Sequence, residues 1–166
     1  MQLKRPKCWY LTADAGRATA YARRQDGRGY EAVASWESDL IRPRDERPQY
    51  TDKPGRVFDS TGGNRHATET VSPAELAKRA FGRALAEALN AARAKGAFDV
   101  LVLFGAPRLM HHLQQSLDRP TADAVVYRRA KDLTKLPAGQ LAAKFDSIGL
   151  NAAPRAPARA AGANRR

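Results

Sequence analysis

Residues 62–66 read Gly-Gly-Asn-Arg-His, within the stretch DSTGGNRHATETVSPAEL that passes from polar and basic groups straight into the start of a helix. Gly62 and Gly63 lack a Cβ and reach φ > 0 without strain, so they allow backbone to approach a ligand closely. Arg65 and His66 are residue types that bracket a phosphate or a ribose. The same residues also make an ordinary turn, with His66 capping the loop and Arg65 paired with Glu69 on the surface. The remaining chemical candidates are weaker. His111 and His112 are neighbours, and on a helix adjacent side chains point about 100° apart and cannot chelate one ion. Asp14 follows a strand and has no second carboxylate paired with it, which makes it a turn residue rather than a catalytic acid. Asp132 and Thr134, in KDLT, order the approach to a helix through bonds from side chain to backbone. The GxSxG, Walker and GxGxxG patterns are missing, so no common hydrolase, NTPase or dinucleotide site is supported. Neither a metal nor a cofactor is expected.

The charge balance points to a partner. Among 166 residues, Lys and Arg total 29 against 17 Asp and Glu, a net charge of +12. Solubility alone does not ask for so much, and a polyanion is the leading explanation. Arginine makes up most of the excess, and its planar fork suits phosphate and base stacking, which ranks nucleic acid above acidic lipid. Trp9, Tyr10 and Trp36 have the ring faces to stack on bases, although strand aromatics in a small domain more often fill the core. The single cysteine, Cys8, builds neither an intramolecular disulfide nor a thiolate metal site by itself, which fits a reducing compartment. Asp14 interrupts the N-terminal stretch before a signal-like apolar run of about 7 to 15 residues can form. No stretch approaches the roughly 18 apolar residues of a membrane span. The expected setting is soluble and cytoplasmic, away from membranes.

The elements that must position these groups follow from periodicity. A basic arm, residues 1–7, precedes an α/β domain over residues 8–150. Residues 8–23 read as two strands around a turn at Asp14, Ala15 and Gly16, and residues 30–36 alternate as a third, giving an antiparallel meander. Residues 39–70 form a long loop rich in basic groups, Pro and Gly, and loops of that length are usually functional or disordered. Ser72-Pro73-Ala74-Glu75 is a capping box, with the serine accepting from the Glu75 amide and the Glu75 carboxylate reaching back. Phe81, Leu85 and Leu89 then mark the apolar face of a helix that Lys95 and Gly96 end, with Lys78, Arg79, Arg83, Glu87 and Arg93 opposite. Residues 100–104, VLVLF, make a central strand covered on both faces. A second helix runs from Pro107 to near Leu117, a strand covers residues 124–128, and a third helix covers residues 137–145. The order indicates a mixed sheet of about five strands with three main helices packed on it. Residues 151–166, with four arginines, no acid and no large apolar group, form a disordered tail.

Three segments together, DKPGRVFDSTGGNRHA, FDVLVLFGAPRLMHHLQQSL and KDLTKLPAGQLAAKF, resemble the bacterial family named "protein required for attachment to host cells" over about residues 8–146. That family in turn is similar to the central domain of archaeal and eukaryotic peptide release factors, in which a strand meander leads through a basic loop with a Gly-Gly-Gln tip into a long helix. The resemblance implies that Gly62, Gly63 and Asn64 occupy the tip, the position at which a backbone N–H meets the developing oxyanion and an amide positions water during ester hydrolysis. Asn64 departs from the pattern. It is one methylene shorter than glutamine, and a displacement of about 1 Å costs on the order of a hundredfold in rate. The implied function is therefore a small factor that binds ribosomal RNA, tRNA or the ribosome and acts in ribosome rescue or inactivation. Arg56, Arg65, His66, Lys78, Arg79, Arg155, Arg159, Arg165 and Arg166 are the expected phosphate contacts. The alternatives are a peptidyl-tRNA ester hydrolase using Gly62, Gly63 and Asn64, or a non-enzymatic protein that affects surface attachment.

Overall fold

The computed structural model describes residues 5–38 and 71–150. Its elements run β1 (Cys8–Ala13), β2 (Arg17–Arg23), β3 (Tyr30–Glu37), α1 (Pro73–Ala94), β4 (Val100–Gly105), α2 (Pro107–Ser116), α3 (Arg119–Ala124), β5 (Val125–Arg129) and α4 (Ala138–Asp146). The strands form one sheet in the order β3-β2-β1-β4-β5. The first three strands pair antiparallel, as the meander requires, whereas β1 pairs parallel with β4 and β4 parallel with β5. The fold is thus α/β with the mixed five-stranded sheet that the element order implies. The one addition is α3, a six-residue turn of helix between α2 and β5.

Alternation along the central strands divides the core in two. Trp9, Leu11 and Ala13 of β1 and Leu101 and Leu103 of β4 join Phe81, Leu85, Ala86 and Leu89 of α1 and Leu109, Met110 and Leu113 of α2 in one cluster. Tyr10, Val102 and Phe104 point the other way, where they meet Leu133, Leu141 and Phe145. α1, α2 and α3 therefore cover one face, and α4 with the segment before it covers the other. Each large apolar side chain fully buried in these clusters contributes about 1.5–3 kcal/mol. VLVLF is covered on both faces as its composition requires. Trp9 and Tyr10 are core residues, and Trp36 packs partly buried against the first cluster. Stacking on a base is thereby closed to Trp9 and Tyr10.

Two glycines fix how α1 sits. Gly96, with φ of 68°, ends the helix in the left-handed region that only glycine enters freely. Gly82 faces α2, where an added Cβ would stand 2.8 Å from His112 Cβ and 3.2 Å from the Leu113 nitrogen. The missing side chain is what lets the two helices approach so closely.

Candidate nucleic-acid interface

The residues expected to do chemistry divide sharply by position. Gly62, Gly63, Asn64, Arg65, His66 and Arg56 lie outside the described residues, as do Arg155, Arg159, Arg165 and Arg166. Of the expected phosphate contacts, Lys78 and Arg79 are described, both on the second turn of α1, just after the segment that carries the glycine pair. Arg79 is exposed and Lys78 half-buried, and neither forms an ion pair with an acid among the described residues. The loop expected to be basic is electrically neutral over residues 39–70, where six Lys or Arg meet six Asp or Glu. The charge excess of the chain therefore resides in the basic arm, residues 1–7, in the sheet-and-helix body and in the arginine tail, which carry +3, +5 and +4.

The start of α1 is built differently from the capping box. Ser72 does cap it, its Oγ accepting from the Glu75 amide at 3.2 Å, with Pro73 in the first turn. The Glu75 carboxylate, however, does not complete the box. Its Oε2 accepts from Arg108 Nη1 at 3.0 Å and its Oε1 lies 3.0 Å from His112 Nε2. The hydrogen bond with His112, and then the one with Arg108, hold the Glu75 carboxyl below the usual carboxylate range. A local cap gave way to two long-range partners because α2 passes directly over the first turns of α1 at Gly82. His112 is nearly buried, and its ring nitrogen is committed to Glu75, so the pair His111 and His112 offers no joint ligand set. The three side chains clamp the end of α1 into which residues 39–70 feed. Arg93 also leaves the solvent face assigned to it, for its Nη1 donates to the Phe98 carbonyl at 3.1 Å beside Asp99.

Asp14 behaves as a turn residue. Its Oδ1 accepts from the amides of Gly16 and Arg17 at 2.9 and 2.7 Å, which reverses the chain between β1 and β2. The Thr134 amide donates to Asp132 Oδ1 at 2.8 Å, and the Thr134 hydroxyl lies 2.6 Å from that oxygen and 3.3 Å from Asp14 Oδ2. KDLT therefore orders the approach to α4 as its residue types imply, and it also ties that segment to the carboxyl end of β1. With its oxygens engaged in this way, Asp14 is placed for support rather than for proton transfer. Among the described residues no group of three or more His, Cys, Asp or Glu is arranged to hold a metal ion. Nor is any helix among them long and apolar enough to cross a membrane. The Cys8 thiol is pushed up to about 11 by burial, which leaves it protonated and unreactive at neutral pH.

What the geometry offers is a positively charged α/β scaffold in which the start of α1 is clamped to α2 through Glu75, Arg108 and His112. Sequence reasoning missed Arg108 and His112 as partners of Glu75, and only their positions on the exposed start and inner face of α2 carried any hint. No curated protein matches the chain. Two solved structures show a weak likeness to the chain. One is an archaeal protein with a TM-score of 0.40 and 11% identity, covering 86% of this chain and 38% of that one. The other is the crystal structure of an archaeal translation termination factor, with a TM-score of 0.39 and 11% identity, covering 86% of this chain and 39% of that one. The chain thus spans less than two fifths of either. The family match is far more extensive: residues 9–145 fit the pattern described as "Protein required for attachment to host cells", and the chain belongs to that family.

Proposed function

We propose that the protein is a small cytoplasmic factor that binds the ribosome or tRNA and presents Gly62, Gly63 and Asn64 to an RNA cleft. The observation that carries this reading is the net charge of +12, dominated by arginine and located outside residues 39–70, which are neutral. Arginine contacts to phosphate supply affinity without needing sequence, while the slim glycine pair reaches where bulkier residues cannot. The loop and the charge then divide the work: the body and tail grip the phosphate backbone, and the loop enters. Such a factor would act in ribosome rescue or in holding ribosomes inactive. The family description names a phenotype, and a cytoplasmic factor alters attachment through the proteins whose synthesis it affects.

A glycine pair followed directly by a side-chain amide favours one second reading, hydrolysis of a peptidyl-tRNA ester. In that case the Gly63 region would supply backbone donors to the oxyanion and Asn64 would position water. Sedimentation of lysate through a sucrose gradient tests the main reading. Co-migration of the protein with ribosomal particles or tRNA is expected, and its confinement to the top fractions, away from all RNA, would overturn it. Release of labelled peptide from stalled ribosomes separates the two. The docking reading expects binding without release, whereas rapid multiple-turnover release identifies the esterase.

A further inference from the structure

β5 is an edge strand, and the chain leaving it crosses the α4 face in a series of backbone-fixed turns. The Lys131 amide donates to the Arg129 carbonyl at 2.8 Å, a γ-turn that ends the strand. Asp132 and Thr134 lock the next three residues, and the Leu136 amide donates to the Leu133 carbonyl at 3.1 Å, closing a β-turn. Leu133 is buried and Leu136 partly so, both against the second core cluster. The long side chains left outside are Arg129, Lys131 and Lys135, all exposed.

These three cations have no ion pair among the described residues, which is true also of Arg28, Lys78, Arg79 and Lys95, but these three fall within seven residues of one fixed segment, whereas Arg17, Arg23, Arg24, Arg83, Arg93 and Arg108 each face an acid. Asp132 is the only acid between residues 125 and 145, and Thr134 occupies its Oδ1. The segment is thus a fixed turn whose anchors are held within the protein, and its three cations outweigh its one carboxylate, Asp132, leaving a net charge of +2 over residues 129–135. The backbone that carries these cations is already fixed, so meeting a ligand orders only their side chains.

We infer that residues 129–135 form a phosphate-binding surface that grips the backbone of RNA. The inference rests on the RNA-binding reading above and says where on the body the grip lies. RNA is favoured over a lipid surface because no large apolar side chain is exposed within the segment to enter a bilayer; the nearest exposed one is Val126. Thr134, through its contact with Asp14, holds the turn against the carboxyl end of β1, so the surface is fixed to the centre of the sheet rather than to a free edge.

The test measures binding of fluorescein-labelled tRNA and of purified ribosomes by the full chain, by R129E/K131E/K135E, and by R5E/R28E/K95E, which removes the same charge from exposed sites elsewhere. Thermal melts confirm folding, and K131Q/K135Q serves as a milder variant in case the triple one unfolds. The expected result is a loss of at least about tenfold for the first triple variant, with the slope of log affinity against log salt falling by about 2 to 3, as for three lost phosphate contacts. The control should lose much less, and K131Q/K135Q should fall between. Equal losses from both triple variants, or no loss from the first while the full chain binds, would overturn the inference and leave the RNA reading standing. Binding of the full chain to vesicles of anionic lipid but to neither RNA would overturn both.

Discussion

Gly82→Ala tests whether the approach of α1 to α2 is as close as the geometry requires. The new Cβ would lie 2.8 Å from His112 Cβ and 3.2 Å from a backbone nitrogen. Neither is the free end of a flexible side chain, so the helices themselves must separate. Overpacking of this kind costs about 1–3 kcal/mol. Against that, alanine is favoured over glycine inside a helix by about 1 kcal/mol. The net effect is therefore small, between no change and about 2 kcal/mol of destabilisation, and by itself would not be diagnostic. Gly139→Ala supplies the comparison. Gly139 lies in the first turn of α4 with nothing within 4 Å of a built Cβ, so the same exchange there carries the propensity gain without the clash. The difference between the two variants isolates the packing cost at about 1–3 kcal/mol. At about 2–4 °C per kcal/mol for a chain of this size, Gly82→Ala should melt roughly 2–12 °C below Gly139→Ala. Urea unfolding and thermal melts on paired samples give the numbers. Equal stability, or a more stable Gly82→Ala, would show that α1 and α2 do not meet at this glycine.

The Glu75 carboxylate is held below its ordinary range, so its contribution to stability is present above the unfolded pKa of about 4.3 and is lost as pH falls through the lower folded value. Glu75→Gln should therefore be less stable than the wild type at pH 7, with the gap closing on acidification, as urea unfolding at a series of pH values will show. Cys8 should react with a thiol reagent at pH 8 about two orders of magnitude more slowly in the native protein than in urea, since its thiolate is scarce. Gly62→Ala and Gly63→Ala should leave the melting temperature nearly unchanged while weakening association with ribosomes. Leu85→Ala, at a position 1% exposed, should cost about 2–5 kcal/mol; a similar loss from either glycine variant would make the pair structural.

Local signals carried most of the architecture. Ser72, Pro73 and Gly96 bound α1 because a cap, a preset φ and a left-handed stop each act within one turn. Alternation in β1 and the unbroken apolar run of β4 announced one central strand after another, since both faces of the sheet are covered. α3 escaped because six residues hold less than two turns, too short for a period to register, although Asp118 caps it by accepting from the Thr121 amide at 2.9 Å. Glu75 was misassigned for a different reason: it sits where a capping box puts its acid, and nothing local reveals that Arg108 and His112 arrive from 33 and 37 residues away. The same holds for the cations. Which arginines are neutralised by Asp or Glu depends on tertiary neighbours, so Arg129, Lys131 and Lys135 looked no different in sequence from Arg17 or Arg23. The glycine pair was legible as a motif, and it lies outside the described residues.

The central claim is that residue 64 enters RNA. Replacing Asn64 with a photo-crosslinking amino acid, irradiating the protein with purified ribosomes and tRNA, and mapping the adducts tests it most directly. The account predicts crosslinks to discrete nucleotides of ribosomal RNA or tRNA that disappear when Gly62 and Gly63 are both changed to alanine. Adducts confined to protein, or none to RNA under conditions where the protein sediments with ribosomes, would contradict it.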